Sequence, residues 1–165
     1  MNTYKLTLIA LLASLAVVGR FAFTNIPNVQ PVTTILIISG FFLGPVAAIV
    51  LALLTTYLSN LLLGMGIWTI WQMVAWAFIG ALSGWLGIIK FKRPIFFLVP
   101  FSILTGYLYG FVVSLTTFTV SGKFVPYYLA GLPFDTYHAV GNGIFMIILF
   151  PVISRIFIRY KQQWL

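Results

Sequence analysis

Residues 31–63 read PVTTILIISGFFLGPVAAIVLALLTTYLSNLLL, an apolar segment of 33 residues interrupted at Gly44-Pro45. Taken whole, it is one over-long membrane helix. Taken as split, it is a short helix over 32–43 and an ordinary one over 46–63, because proline cannot continue a helix and glycine before it is a common stop. The choice decides whether the chain has five helices or six.

Other apolar runs lie near 4–19, 68–89, 94–120 and 136–158. A bilayer offers no water to backbone groups, so such runs must satisfy their own hydrogen bonds as helices; the alternation of barrel strands is not seen. Of the 165 residues, 62% are hydrophobic and 6% charged, far from the composition of a soluble domain. The expected fold is an all-α integral membrane protein, a six-transmembrane-helix bundle with both termini cytoplasmic, in a single domain over 1–165.

The net charge of +8 would suggest nucleic acid in a soluble protein. Here the basic residues stand between apolar runs, where they orient the chain, so no nucleic-acid partner is expected. With six helices, Lys5, Lys90, Lys92, Arg93, Arg155, Arg159 and Lys161 fall inside and Arg20 and Lys123 outside. A five-helix reading exchanges Lys5 for Arg20 and scores equally, so charge alone does not fix the count. The amino-terminal run has the apolar core of a signal peptide, yet its removal would take the first span, and a retained helix is expected. The chain has no cysteine, which excludes thiol catalysis, disulfides and thiolate metal sites.

The six-helix reading puts three turn-rich connections on one outer face: RFAFTNIPNVQP, LLGMGIW and VSGKFVPYYLAGLPFDTYH. Asn25, Asn28, Gln30, Asn60, Trp68, Trp71, Gln72, Tyr127, Tyr128 and Tyr137 lie in or beside them. This asymmetry points to an outward pocket closed by loops, although an aromatic belt predicts part of the same pattern.

The only acidic residue and the only histidine are Asp135 and His138. Pro133-Phe134-Asp135 before an apolar run is a fitting helix start, with Asp135 as N-cap. Asp135, His138 and Asn142 also share one helix face by their spacing, and polar groups in membrane helices face the protein interior or a wet cavity. Both readings stand.

One carboxylate cannot supply an acid–base pair, and one histidine with one aspartate cannot supply a zinc site, so neither enzyme activity nor a metal or cofactor is expected. A proton-coupled carrier could use Asp135 and His138, but the internal repeat common in such carriers is not evident. The chain has no phosphate-binding loop, so ATP-driven work would need a partner. On the first helix Ala10, Ser14, Ala13 and Ala16 form a small-residue strip, suited either to a partner helix or to packing within the bundle. The tail RIFIRYKQQ reads as an interfacial stop signal.

The runs IPNVQPVTTILIISGFFLGP, YLSNLLLGMGIWTIWQM and PFDTYHAVGN, in this order, resemble the substrate-binding S component of an energy-coupling factor vitamin transporter. The resemblance spans nearly the whole chain and is greatest to the cobalamin-specific branch. It implies a bacterial plasma-membrane protein that captures a vitamin outside. It also implies association with a transmembrane coupling subunit and two cytoplasmic ATPases, and toppling in the membrane to release its cargo. The family's Ala-x-x-x-Ala docking contact is matched by Ala10 and Ser14, with Ala13 beside them.

A cobalamin pocket would want Gly-lined walls and many amide and hydroxyl partners. Asn28, Gln30, Asn60, Gly64, Gly66, Trp68, Gln72, Tyr128 and Asn142 fit that inventory, and Arg20, Asp135 and His138 complete the expected set. Pantothenate or another small vitamin would suit the same residues.

Overall fold

The computed structural model describes residues 3–89 and 91–164, and side chains to residue 159. Six helices follow one another: α1 (Thr3–Ala22), α2 (Val32–Leu43), α3 (Pro45–Leu63), α4 (Trp68–Leu86), α5 (Ile95–Ser121) and α6 (Val125–Trp164). No strand occurs among the described residues. Five of the helices are long and apolar enough to cross a membrane; α2, with 12 residues, is the exception.

The break at Gly44-Pro45 is real. Gly44 adopts φ 88°, its N–H closes the last turn of α2 on the Gly40 carbonyl at 2.8 Å, and Pro45 opens α3. At 1.5 Å per residue α2 is about 18 Å long, short of the ~30 Å hydrocarbon core. Every residue from Val32 to Gly40 is buried, so α2 is the internal post around which the longer helices gather. Glycine permits this: a Cβ at Gly40 would stand 2.5 Å from the Gly80 carbonyl oxygen of α4, so α2 and α4 meet backbone to backbone.

Alternating helix directions bring the connections 23–31, 64–67 and 122–124 to one end of the bundle. The Gly44 turn and residues 87–89 and 91–94 lie at the other, with Lys5, Lys92, Arg93, Arg155 and Arg159. Lys90 and the side chain of Lys161 lie outside the described residues. Lys5 donates from Nζ to the Leu43 carbonyl at 2.7 Å, placing a cation on the negative end of α2.

One boundary differs from expectation. The last helix begins at Val125, so Asp135 lies inside α6 and does not cap it, and residues 125–135 are helix where a loop was expected. Pro133 removes one backbone donor yet does not stop the helix, because this part of α6 is paired with α5. Tyr128 meets Phe111 edge-on at 5.6 Å, and the Tyr107 and Thr136 hydroxyls are 3.2 Å apart. A neighbouring helix can hold a proline-bearing turn in place in membrane proteins.

Candidate functional site

The connection 23–31 is folded onto the bundle by local turns and anchors. Ile26 N–H bonds the Phe23 carbonyl at 3.0 Å, and Asn28 takes φ 59°, a conformation asparagine adopts readily. Phe23 packs edge-on against Phe145 of α6 at 5.1 Å. Beneath this connection lies a cleft of about 210 Å³, lined by Arg20, Asn28 and Gln30 with Phe23, Thr24, Ile26, Val29 and Leu63. Polar and apolar side chains share its lining.

Arg20, in the last turn of α1, is half-buried. Its Nη1 donates to Ser59 Oγ at 2.6 Å and to Asn60 Oδ1 at 2.7 Å, and the guanidinium lies 5.2 Å from the centre of the Trp76 ring. Asn60 Nδ2 donates in turn to Gln72 Oε1 at 2.7 Å and Thr69 Oγ1 at 3.0 Å, and Gln72 Nε2 to the Tyr109 hydroxyl at 2.9 Å. The string thus joins α1, α3, α4 and α5. Tyr109 is stacked between Trp76, at 4.9 Å, and His138, at 4.8 Å and 10° from parallel.

His138 is fully buried and both ring nitrogens are bonded. Trp76 Nε1 donates to Thr33 Oγ1 at 2.9 Å, which frees the Thr33 proton for His138 Nε2 at 2.8 Å. Asn28 Nδ2 donates to the Phe134 carbonyl at 3.0 Å, so its oxygen faces His138 Nδ1 at 3.3 Å and accepts from it. Only the neutral ring with its proton on Nδ1 satisfies every partner, and this assignment follows from the network.

Of the residues expected at the site, Arg20, Asn28 and Gln30 line the cleft, and Asn60, Gln72 and His138 join it through hydrogen bonds. Asn142 is buried deeper, where Nδ2 holds the Ser102 carbonyl at 3.2 Å and its own carbonyl accepts from Thr34 at 3.1 Å; it ties α6 to α5 and α2. Asp135 faces α5, where its carboxyl occupies the space beside Gly110 that a Cβ would fill, and Oδ2 has no partner. The face shared by Asp135, His138 and Asn142 is therefore buried in the protein rather than presented to the cleft.

Gly64 and Gly66 sit in the neighbouring connection and Trp68, exposed, opens α4; none of them lines the cleft. Tyr128 packs with Phe111 and Phe124 on the α5–α6 hairpin. On α1, Ala10 and Ser14 are exposed, and Ser14 Oγ is satisfied by the Ala10 carbonyl at 2.9 Å. Ala13 and Ala16 are buried, so half of the small-residue strip packs inside the bundle.

Sequence reasoning missed Thr33, Ser59, Trp76 and Tyr109. Ser59 adjoins Asn60, and Trp76 follows Gln72 by one helical turn, so helical spacing from the polar residues already singled out could have found both. Nothing in the apolar run around Tyr109 marks it.

The protein-family model for the ECF transporter, substrate-specific component, matches residues 4–160. No curated protein and no solved structure matches the chain.

Proposed function

The chain belongs to the substrate-specific components of ECF transporters, and from that premise we propose that it captures a vitamin from outside the cell at the cleft beneath residues 23–31. Members of this family bind substrate in the membrane and work with coupling and ATPase modules. The observation that carries the proposed site is the position of the cleft: it joins the polar string of Arg20, Asn60 and Gln72 to the end of the bundle opposite most of the basic residues. That charge bias supports an outward-facing cleft with both termini at the cytoplasmic side of a bacterial plasma membrane.

For the vitamin itself, cobalamin and pantothenate are the two named candidates. Ligand pockets commonly hold about 300–1,000 Å³. A cleft of about 210 Å³ lies below that range and so favours the smaller candidate, pantothenate, whereas cobalamin would require the 23–31 connection to lift away. The exposed Ala10 and Ser14 are the proposed contact with the coupling subunit. Small residues there leave room for a close helix crossing.

Uptake of labelled pantothenate and cobalamin, measured in cells with and without the coupling subunit and two ATPases, tests the reading. Import is expected only with the full set. Transport by this chain alone, abolished by collapsing the proton gradient, would make it a proton-coupled carrier instead.

A further inference from the structure

We infer that the cleft takes a small organic oxyanion, a carboxylate or a phosphate ester, with Arg20 holding the anion and Gln30 its neighbouring polar atom. The inference rests on the substrate-capture reading and adds the chemical class of the substrate.

It begins with an imbalance. Arg20 is a permanent cation in a membrane-spanning helix, and such groups are ordinarily paired. Its partners in the structure are a hydroxyl, an amide oxygen and an aromatic ring, all neutral. Nη1 makes both hydrogen bonds; Nε and Nη2 have no partner among the described residues. The chain has a single acidic side chain, Asp135, and it lies against Gly110 of α5 rather than beside Arg20. No side chain is left to neutralise the guanidinium.

A second observation points into the same space. Gln30 lines the cleft and is 8% exposed, yet its amide makes no hydrogen bond among the described residues. The Gln30 amide is not among the buried unpartnered polar atoms, so it opens onto the cleft, where a ligand can supply its partner. The guanidinium fork matches the two oxygens of a carboxylate or phosphate, and its bonds to an anion are about twice as strong as neutral ones.

Ser59 and Asn60 of α3 hold Nη1, fixing the fork without neutralising it. Phe23, Ile26, Val29 and Leu63 supply the apolar side of the cleft. At about 30 Å³ for each water's share of liquid, the volume displaced is roughly that of seven waters, which limits the ligand to a small molecule.

The test is calorimetric titration of the full-length protein in lipid nanodiscs with pantothenate and nicotinate. Each is set beside its uncharged counterpart, panthenol or nicotinamide, and inorganic phosphate and cobalamin are titrated separately. At least one acid, or phosphate, is expected to bind. The uncharged counterpart of any acid that binds should be at least about tenfold weaker. Arg20→Gln should weaken the bound anion by roughly 10- to 100-fold.

Gln30→Leu removes no hydrogen bond of the free protein, so it should reduce affinity several-fold at unchanged thermal stability. That variant keeps the test decisive if Arg20→Gln misfolds. Binding of phosphate without the acids would identify a phosphate-bearing substrate. The inference is overturned if neither acid nor phosphate binds, if the uncharged molecules bind as tightly, or if cobalamin binds equally to wild type and Arg20→Gln. Failure of the substrate-capture reading shows separately, as import without the coupling module.

Discussion

His138 and Arg20 are polar side chains near the same end of the bundle, and their surroundings are opposite in kind. His138 has a partner for each ring nitrogen, a stacked tyrosine, and a tryptophan fixing the hydroxyl it accepts from. Arg20 is hydrogen-bonded through Nη1 and lies over Trp76, while Nε and Nη2 have no partner among the described residues beside an open cleft. A polar network with every valence filled ties helices together, and a group with valences left open beside a cavity is available to a ligand. Asn142 joins three helices through its amide nitrogen and backbone carbonyl while its Oδ1 stays unpartnered deep in the protein, whereas the Gln30 amide, with no hydrogen bond among the described residues, stands at the cleft.

The largest effect is expected on the His138 side. A Cβ at Gly106 would stand 2.5 Å from the Cα of Ala139, the residue after His138, so Gly106→Leu must push α5 from α6. Overpacking of this kind costs about 1–3 kcal/mol, and backbone against backbone puts it at the upper end. Thermal unfolding in detergent should fall steeply and binding should vanish with the fold. Wild-type stability would mean the wall is looser than drawn.

Arg20→Gln comes next and should act on binding more than on folding. A 10- to 100-fold loss of affinity corresponds to about 1.4–2.8 kcal/mol. The lost interhelical hydrogen bonds should cost the fold less, near 0.6 kcal/mol each by the average for membrane proteins. Equal losses in both would erase the contrast between the two residues.

Thr33→Val should do the reverse. It keeps the shape and removes the hydroxyl between Trp76 and His138, so unfolding should be easier by about 0.6–1.7 kcal/mol while affinity stays within about twofold. A drop in affinity with unchanged stability would move His138 from the framework to the binding surface.

The smallest effect is expected from Asp135→Asn. The carboxyl makes no hydrogen bond among the described residues and caps no helix, and Asn keeps its shape, so stability should change little and uptake should persist. Loss of uptake in a well-folded variant would give Asp135 a part in transport that its position against Gly110 does not suggest.

Much of this fold was legible in the sequence. Gly44-Pro45 divided residues 31–63 correctly because the signal is local: a glycine free to take φ 88° and a proline that cannot continue the preceding helix. Pro133 carried a similar signal and misled, because pairing with α5 holds α6 through it, and that pairing is not written in the neighbouring residues. For the site, Arg20, Asn28, Gln30, Asn60 and Gln72 could be picked out as polar residues near the turns of an apolar chain. Which of them face the cleft and which face protein depends on helix rotation and on contacts across more than a hundred residues, such as Asn28 with His138.

The central claim is that the open valences of Arg20 mark the place where the substrate binds. It is tested most directly by purifying wild type and Arg20→Gln from cells supplied with a mixture of vitamins and identifying by mass spectrometry what remains bound. Wild type should retain a small molecule bearing a carboxylate or phosphate, and the variant should retain at most about a tenth as much. An uncharged molecule retained equally by both proteins would contradict it.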